Sequence, residues 1–252
     1  MTYIKSPEQI RKIRQSSKIL ADVLQKLEKM VRPGMNLMEL EDFARHSIEV
    51  QGGKPVFLGY KPVGAKKPYG YALCTSINDV VVHGTPRSYE LKTGDLLSLD
   101  LGVDWQGGIS DAAFTVGIGK ISPRDQELIN ITKKALERGI AQAKPGNTMG
   151  DIGHAIEETI KRGGAKVIEG LTGHGVGNQL HEEPTVYNFG EPGEGMRLEA
   201  GMVLAIEPMT CFTSGRIEQL SDDSYATMDG SNSAHFEHTV LIGEKGPEIL
   251  SQ

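Results

Sequence analysis

A chain of 252 residues is long enough to bury a full hydrophobic core. Its composition is that of an ordinary soluble globular protein, and a formal net charge of −6 excludes the strongly basic surface of a general nucleic-acid binder. The two cysteines, Cys74 and Cys211, make neither a ligand cluster nor a framework of bridges. The opening stretch "MTYIKSPEQIRKIRQ" has no apolar leader core, and no later run approaches the roughly 18 apolar residues of a membrane span. A soluble protein of the cytoplasm is expected, with no membrane partner and no direct nucleic-acid binding.

The first element is a helix that starts at Ser6-Pro7, a cap followed by a first-turn proline, with Ile10, Ile13, Leu20, Leu24 and Leu27 along one stripe. A Pro33-Gly34 turn leads into a second helix carrying Leu37, Leu40, Ala44 and Ile48 on one face, closed by Gly52. Both helices recur. Ser122-Pro123 opens a helix with Ile129, Thr132, Leu136, Ile140 and Ala143. Pro145-Gly146 then precedes Met149, Ile152, Ile156 and Ile160, closed by Gly164, each 112 residues after its counterpart. Strands recur as well. "LKTGDLLSLD" ends on Asp100 as "LEAGMVLAIE" ends on Glu207, here 107 residues apart. The shorter offset places an insertion in the first half, and the Gly-, Pro- and Tyr-rich loop 60–71 is where it falls. The sequence therefore implies an α+β fold made of two repeats, about 6–118 and 122–245, within a single domain spanning 1–252.

A strand that ends on a buried acid needs a cation or a donor beside it. Alternation puts Ser98 with Asp100, and Ala205 with Glu207, on the face opposite the leucines, and small residues there are expected to leave room for a bound object. Asp111 in "GGISDAAFTVG" follows Asp100 at hairpin distance, and Glu237 in "SAHFEHTVLI" opens a strand in the second half. Four converging carboxylates would repel by several kcal/mol at intermediate dielectric, which two divalent ions can offset and one cannot. Oxygen ligands with one imidazole suit Mn²⁺, Fe²⁺, Co²⁺ or Zn²⁺. His174, set among glycines in "TGHGVG", is the expected imidazole. His83 in "VVHGTP" and His181 in "HEEPTV" are expected to line a polar cleft. His46 and His154 fall on helices as surface or packing residues, and His238 points away from Glu237. His235 lies on the Glu237 side without an assigned role. "GHGVGN" misses the dinucleotide fingerprint at Asn178, and there is no His-Glu-x-x-His pair, Walker loop or Gly-x-Ser-x-Gly elbow.

The stretches "CTSIND", "VVHG", "SLDLG…SDAAFTVG", "TGHGVGNQLHEEP", "GMVLAIEPM" and "SAHFEHT" together resemble type I methionine aminopeptidases, in order, from about residue 5 to 245. The resemblance implies the duplicated pita-bread fold, a curved, mostly antiparallel sheet with helices outside, and two divalent ions held by Asp100, Asp111, His174, Glu207 and Glu237. It implies attack by a metal-activated water on an N-terminal methionine. Glu207 would shuttle the proton, His181 would contact the scissile amide, and His83 would assist near the leaving peptide. Tyr69, Cys74 and Leu180, with Phe57 and Tyr225, would form the methionine pocket. The implied partners are nascent polypeptide N-termini with a small second residue, with transient ribosome association, and a monomer is expected. The chain departs from the family pattern at Ser110, where glycine is usual, at His235, where glutamine is more frequent, in a longer 60–71 loop, and at Tyr225, which replaces a tryptophan. Proline-specific aminopeptidases and dipeptidases share the fold, as do metal-free binding proteins. The former usually carry a large extra N-terminal domain, and the latter would lack at least one ligand.

Overall fold

The computed structural model describes residues 3–61 and 65–252, so residues 62–64 of the inserted loop lie outside the described residues. The first half runs α1 (Pro7–Met30), α2 (Leu37–Val50), β1 (Lys54–Pro55), β2 (Leu73–Ile77), β3 (Val80–Val82), β4 (Leu96–Trp105) and β5 (Gly108–Gly117). The second half begins with α3 (Pro123–Gln142), α4 (Met149–Arg162), β6 (Lys166–Val167), β7 (Gly173–Gly175) and β8 (Glu182–Val186). It continues with β9 (Val203–Ile206), β10 (Met209–Cys211), β11 (Ile217–Gln219), β12 (Tyr225–Thr227), β13 (Ser233–His235), β14 (His238–Gly243) and β15 (Gly246–Ile249).

The helix signals act where the sequence puts them. The Ser6 and Ser122 hydroxyls accept from the N–H groups of Gln9 and Asp125, with Pro7 and Pro123 in the first turn. Capping boxes open the shorter pair, Asn36 with Glu39 and Thr148 with Asp151. Such caps are each worth about 1 kcal/mol. The repeat continues into the turns. The Gly34 N–H donates to the Leu91 carbonyl at 2.8 Å, as that of Gly146 does to Leu198 at 3.0 Å. Gly94 and Gly201, at φ 102° and 94°, then bend each chain into its acid-ending strand, a left-handed turn that suits glycine.

Each helix pair covers its own sheet. The apolar faces of α1 and α2 bury against Leu73, Leu97, Leu99 and Leu101, and those of α3 and α4 against Leu204, Ile206, Val240 and Ile242. In the first sheet β4 pairs antiparallel with β1, β2 and β5. In the second the order is β15-β14-β9-β7-β8. The two halves are stitched along β5. Thr239 Oγ1 accepts from Asp111 N at 2.9 Å and donates to Asp111 O at 2.7 Å, the Glu237 N–H donates to Ala113 O, and Thr115 Oγ1 bonds both N and O of His235. This seam carries the acids.

Candidate metal centre

Asp100 lies opposite Ala113 and Asp111 opposite Gly102 in the β4–β5 ladder, so the two acids sit diagonally on one face. His174 is the middle residue of β7, Glu207 follows β9 directly, and Glu237 stands between β13 and β14. All five expected ligands line one cleft of about 1300 Å³. Asp111, His174 and Glu237 present ligand atoms within 4.8 Å of one another. Glu207 reaches His174 Nε2 with one oxygen and His235 Nε2 with the other, each at 3.4 Å.

The electrostatics show how little the protein alone satisfies these groups. Burial pushes Asp100 up to about 7, with His235 pulling it down and Glu207 pushing it further up. Burial likewise raises Glu207 to about 7, against the pull of His174. Asp111 and Glu237 are held well above the usual carboxylate range, first by burial and then by the neighbouring acids. Asp100 Oδ1, Asp111 Oδ1 and Glu237 Oε1 are buried without a hydrogen-bond partner. His174 Nδ1 lies 2.9 Å from the Gly175 carbonyl, so Nδ1 carries the proton and the Nε2 lone pair faces the acids. Orphaned oxygens beside a free imidazole lone pair fit a hard or borderline divalent cation.

Neither small residue lines the cleft: Ser98 bonds Thr115 on the neighbouring strand at 2.7 Å, and Ala205 lies beside His174 in the ladder.

His83 and His181 both line the cleft. His83 has a left-handed φ of 61°, rare for a non-glycine residue, and the next residue must be small: a Cβ on Gly84 would lie 2.5 Å from the Thr75 carbonyl oxygen. That close approach aims His83 into the cleft. Burial, with His235 nearby, lowers His83 to about 4. Burial, with His174 and His83, lowers His181 to about 3. Both rings are therefore neutral at physiological pH. His181 packs edge-on to His174 at 4.4 Å between centroids, and its Nδ1 lies 2.7 Å from the Tyr60 hydroxyl. In the tautomer where the phenol donates to Nδ1, Nε2 keeps the ring proton.

Phe57, Tyr69, Cys74 and Leu180 gather into one apolar wall of the cleft. Tyr225 does not join them; it packs edge-on to His83 in a separate cluster with Val82 and Met209. His46 is exposed and His154 half-buried, both away from the cleft, and His238 turns back to bond Ser251. His235 and Tyr60 are the site residues the sequence left unassigned. The alternation that placed His235 with Glu237 was a usable signal; nothing local marked Tyr60.

A duplicated pita-bread fold with a buried acid–imidazole cluster at its seam defines a metal-dependent hydrolase. The chain belongs to metallopeptidase family M24, whose pattern it matches over residues 11–244. A methionine aminopeptidase of Aquifex aeolicus is 46% identical over 253 residues, covering 98% of this chain and 97% of the relative. The crystal structure of a methionine aminopeptidase from Thermotoga maritima aligns with a TM-score of 0.94 at 40% identity and covers 100% of both chains. The prolidase of Pyrococcus furiosus, at 24% identity and a TM-score of 0.77, matches 99% of this chain but 65% of its own length, and shares the fold alone.

Proposed function

We propose that this chain is a dinuclear metal-dependent methionyl aminopeptidase that removes the initiator methionine from polypeptides with a small second residue. One observation carries the reading: five candidate ligands, three of them with orphaned oxygens, converge in a cleft whose adjoining wall is apolar. The ligands would be Asp100, Asp111, His174, Glu207 and Glu237, and two ions of Mn, Fe, Co or Zn would balance their charge. Bound there, such ions supply a water acidic enough to act as a nucleophile near neutral pH.

The chain's own groups account for the remaining tasks. Glu207 would take a proton at a carboxylate oxygen and return it to the leaving amine. His181, held neutral, is a donor rather than a cation, and its Nε2–H would stabilise the oxygen of the scissile amide as charge develops there. His83 would hold the departing peptide from the opposite side. Phe57, Tyr69, Cys74 and Leu180 would enclose the flexible thioether side chain. Both repeats would form one catalytic domain, acting as a monomer in the cytoplasm on nascent chains during transient contact with the ribosome.

The test is chelation followed by reloading with each metal singly, assayed on a Met-Ala-Ser peptide and an Ala-Pro peptide. Release of methionine with two ions per chain supports the reading. Asp100→Ala is expected to lose both metal retention and turnover. Cleavage of the Ala-Pro peptide in preference to Met-Ala-Ser would move the assignment to the proline-specific branch of the fold.

A further inference from the structure

His181 sits on a loop, residues 176–181, that leaves β7 just after His174 and re-enters the sheet at Glu182. Asn178, Gln179, Leu180 and His181 line the cleft, and the loop is braced behind them by an ion pair and hydrogen bonds. The brace comes from the segment before α1. The Lys5 side chain is 2% exposed, and its Nζ lies 2.8 Å from Glu182 Oε2. The other oxygen, Oε1, accepts from the Asn178 N–H at 2.9 Å and closes the loop on itself. The Lys5 N–H donates to the Gly201 carbonyl at 2.9 Å, which fixes the lysine to the turn that enters β9. Its stem runs along the loop at Gly177, where an added Cβ would lie 3.0 Å from Lys5 Cε. The Gly177 carbonyl is held in turn by Gln9 at 3.0 Å and by the Ile109 N–H at 2.8 Å.

A buried ammonium is costly unless paired, and a buried pair broken from one side leaves an uncompensated charge. Lysines ordinarily bury the stem and keep the ammonium in water. This one is turned inward onto the residue adjoining His181. We propose that Lys5 and Glu182 are positioning residues for the methionyl aminopeptidase reaction, acting through the 176–181 loop to hold His181 against the scissile amide; this rests on the activity proposed above. Without Lys5, the Glu182 carboxylate turns to solvent and releases the Asn178 N–H, and the loop loses its closure. The residues expected to hold metal stand on or beside strands, outside this loop, so metal content is unaffected.

The experiment compares metal-loaded wild type with Lys5→Met, Glu182→Gln, Lys5→Arg and the double variant Lys5→Met/Glu182→Met on Met-Ala-Ser. Thr132→Val, which breaks a buried bond from α3 to Thr210 on β10, serves as a control for lost stability. Lys5→Met is expected to lower kcat about tenfold or more, as small misplacements of reacting groups do, with two ions retained. KM is expected to stay within about threefold of wild type. Lys5→Arg recovers part of kcat, and Thr132→Val keeps wild-type kcat below its Tm. The double variant removes both charges and is expected to regain stability but not kcat, since Asn178 N still lacks its acceptor. If Lys5→Met fails to fold, Glu182→Gln and the double variant decide. Wild-type kcat in the double variant, or in a folded Lys5→Met, overturns the proposal. A wild type that releases no methionine from any peptide would instead sink the activity and leave the brace as architecture.

Discussion

Thr239→Val tests whether the seam is what holds the acids in place. Thr239 is fully buried, and its hydroxyl satisfies both backbone groups of Asp111, accepting from N at 2.9 Å and donating to O at 2.7 Å. In an antiparallel ladder alternate residues turn both groups away from the partner strand, and Asp111 turns its pair toward the second half. Valine fits the space and offers neither bond. Each of the two orphaned buried groups costs about 1–3 kcal/mol, offset by roughly 1 kcal/mol from the added methyl burial, so the net loss is about 1–5 kcal/mol. For a chain of this size that corresponds to a fall in Tm of roughly 2–20 °C. Thr239→Ser keeps the hydroxyl, loses one methyl, and is expected to cost about 1 kcal/mol. The assay is calorimetry of the chelated protein together with metal titration. Because Asp111 moves with its backbone, metal affinity is expected to weaken by about 10–100-fold in the valine variant. A valine variant within about 0.5 kcal/mol of wild type, with unchanged metal affinity, would refute the claim that this bond pair couples the halves.

Glu41 is buried beneath the cleft wall, with its pKa raised mainly by burial, and its two oxygens accept from Ala72 N and Leu73 N at 2.8 and 2.9 Å. Glu41→Gln turns one acceptor into a donor and is expected to cost about 1–3 kcal/mol in denaturant unfolding. Burial lowers His238 to about 4, so between about 6.5 and 4 the unfolded chain binds a proton that the native chain refuses. Stability therefore falls as pH drops through that window, by up to about 3 kcal/mol, and His238→Asn is expected to flatten the pH profile of unfolding there. Gly84→Ala drives a Cβ against the Thr75 carbonyl and is expected to cost about 1–3 kcal/mol and to lower kcat by displacing His83. In chelated protein the raised pKa of Asp111 means that ionisation opposes folding as pH rises, so Asp111→Asn is expected to melt higher than wild type at alkaline pH. With metal present the order is expected to reverse, because wild type alone gains binding energy.

The helices were legible because their signals are local. Cap, first-turn proline, stripe and closing glycine all lie within one element, and α2 and α4 begin at the residues the 112-residue offset indicates. The acids were legible for a different reason: each violates the apolar pattern of its own strand, and the violation recurs. What adjoins them was not. Ser98 and Ala205 read as spacers for an object, yet one bonds a neighbouring strand and the other faces His174, and strand order across the sheet is not written in the strand itself. Tyr60 meets His181 across 121 residues and Lys5 meets Glu182 across a longer separation still, with no periodicity linking either pair. Tyr225 went to the His83 side because β12 pairs with β3, a contact between the two halves that no repeat encodes.

The duplication also explains why the costly groups stand where they do. A buried acid within one repeat would have to be satisfied by that repeat, and evolution of a single sheet could remove it by one substitution to an apolar residue. At the seam each half contributes acids whose desolvation is only partly relieved by neighbouring imidazoles. Asp100 and Glu207 are tempered by His235 and His174. Asp111 and Glu237 mainly repel the rest, and keep oxygens with no protein partner at all. A protein-only solution would have supplied donors there, since backbone N–H groups and threonine hydroxyls are already within reach along β5. Those donors are instead spent on the backbone, joining strand to strand, while the carboxylates are left to face one another. That division makes the scaffold rigid without neutralising the site, which is the condition under which a cation becomes part of the fold's stability and its chemistry at once.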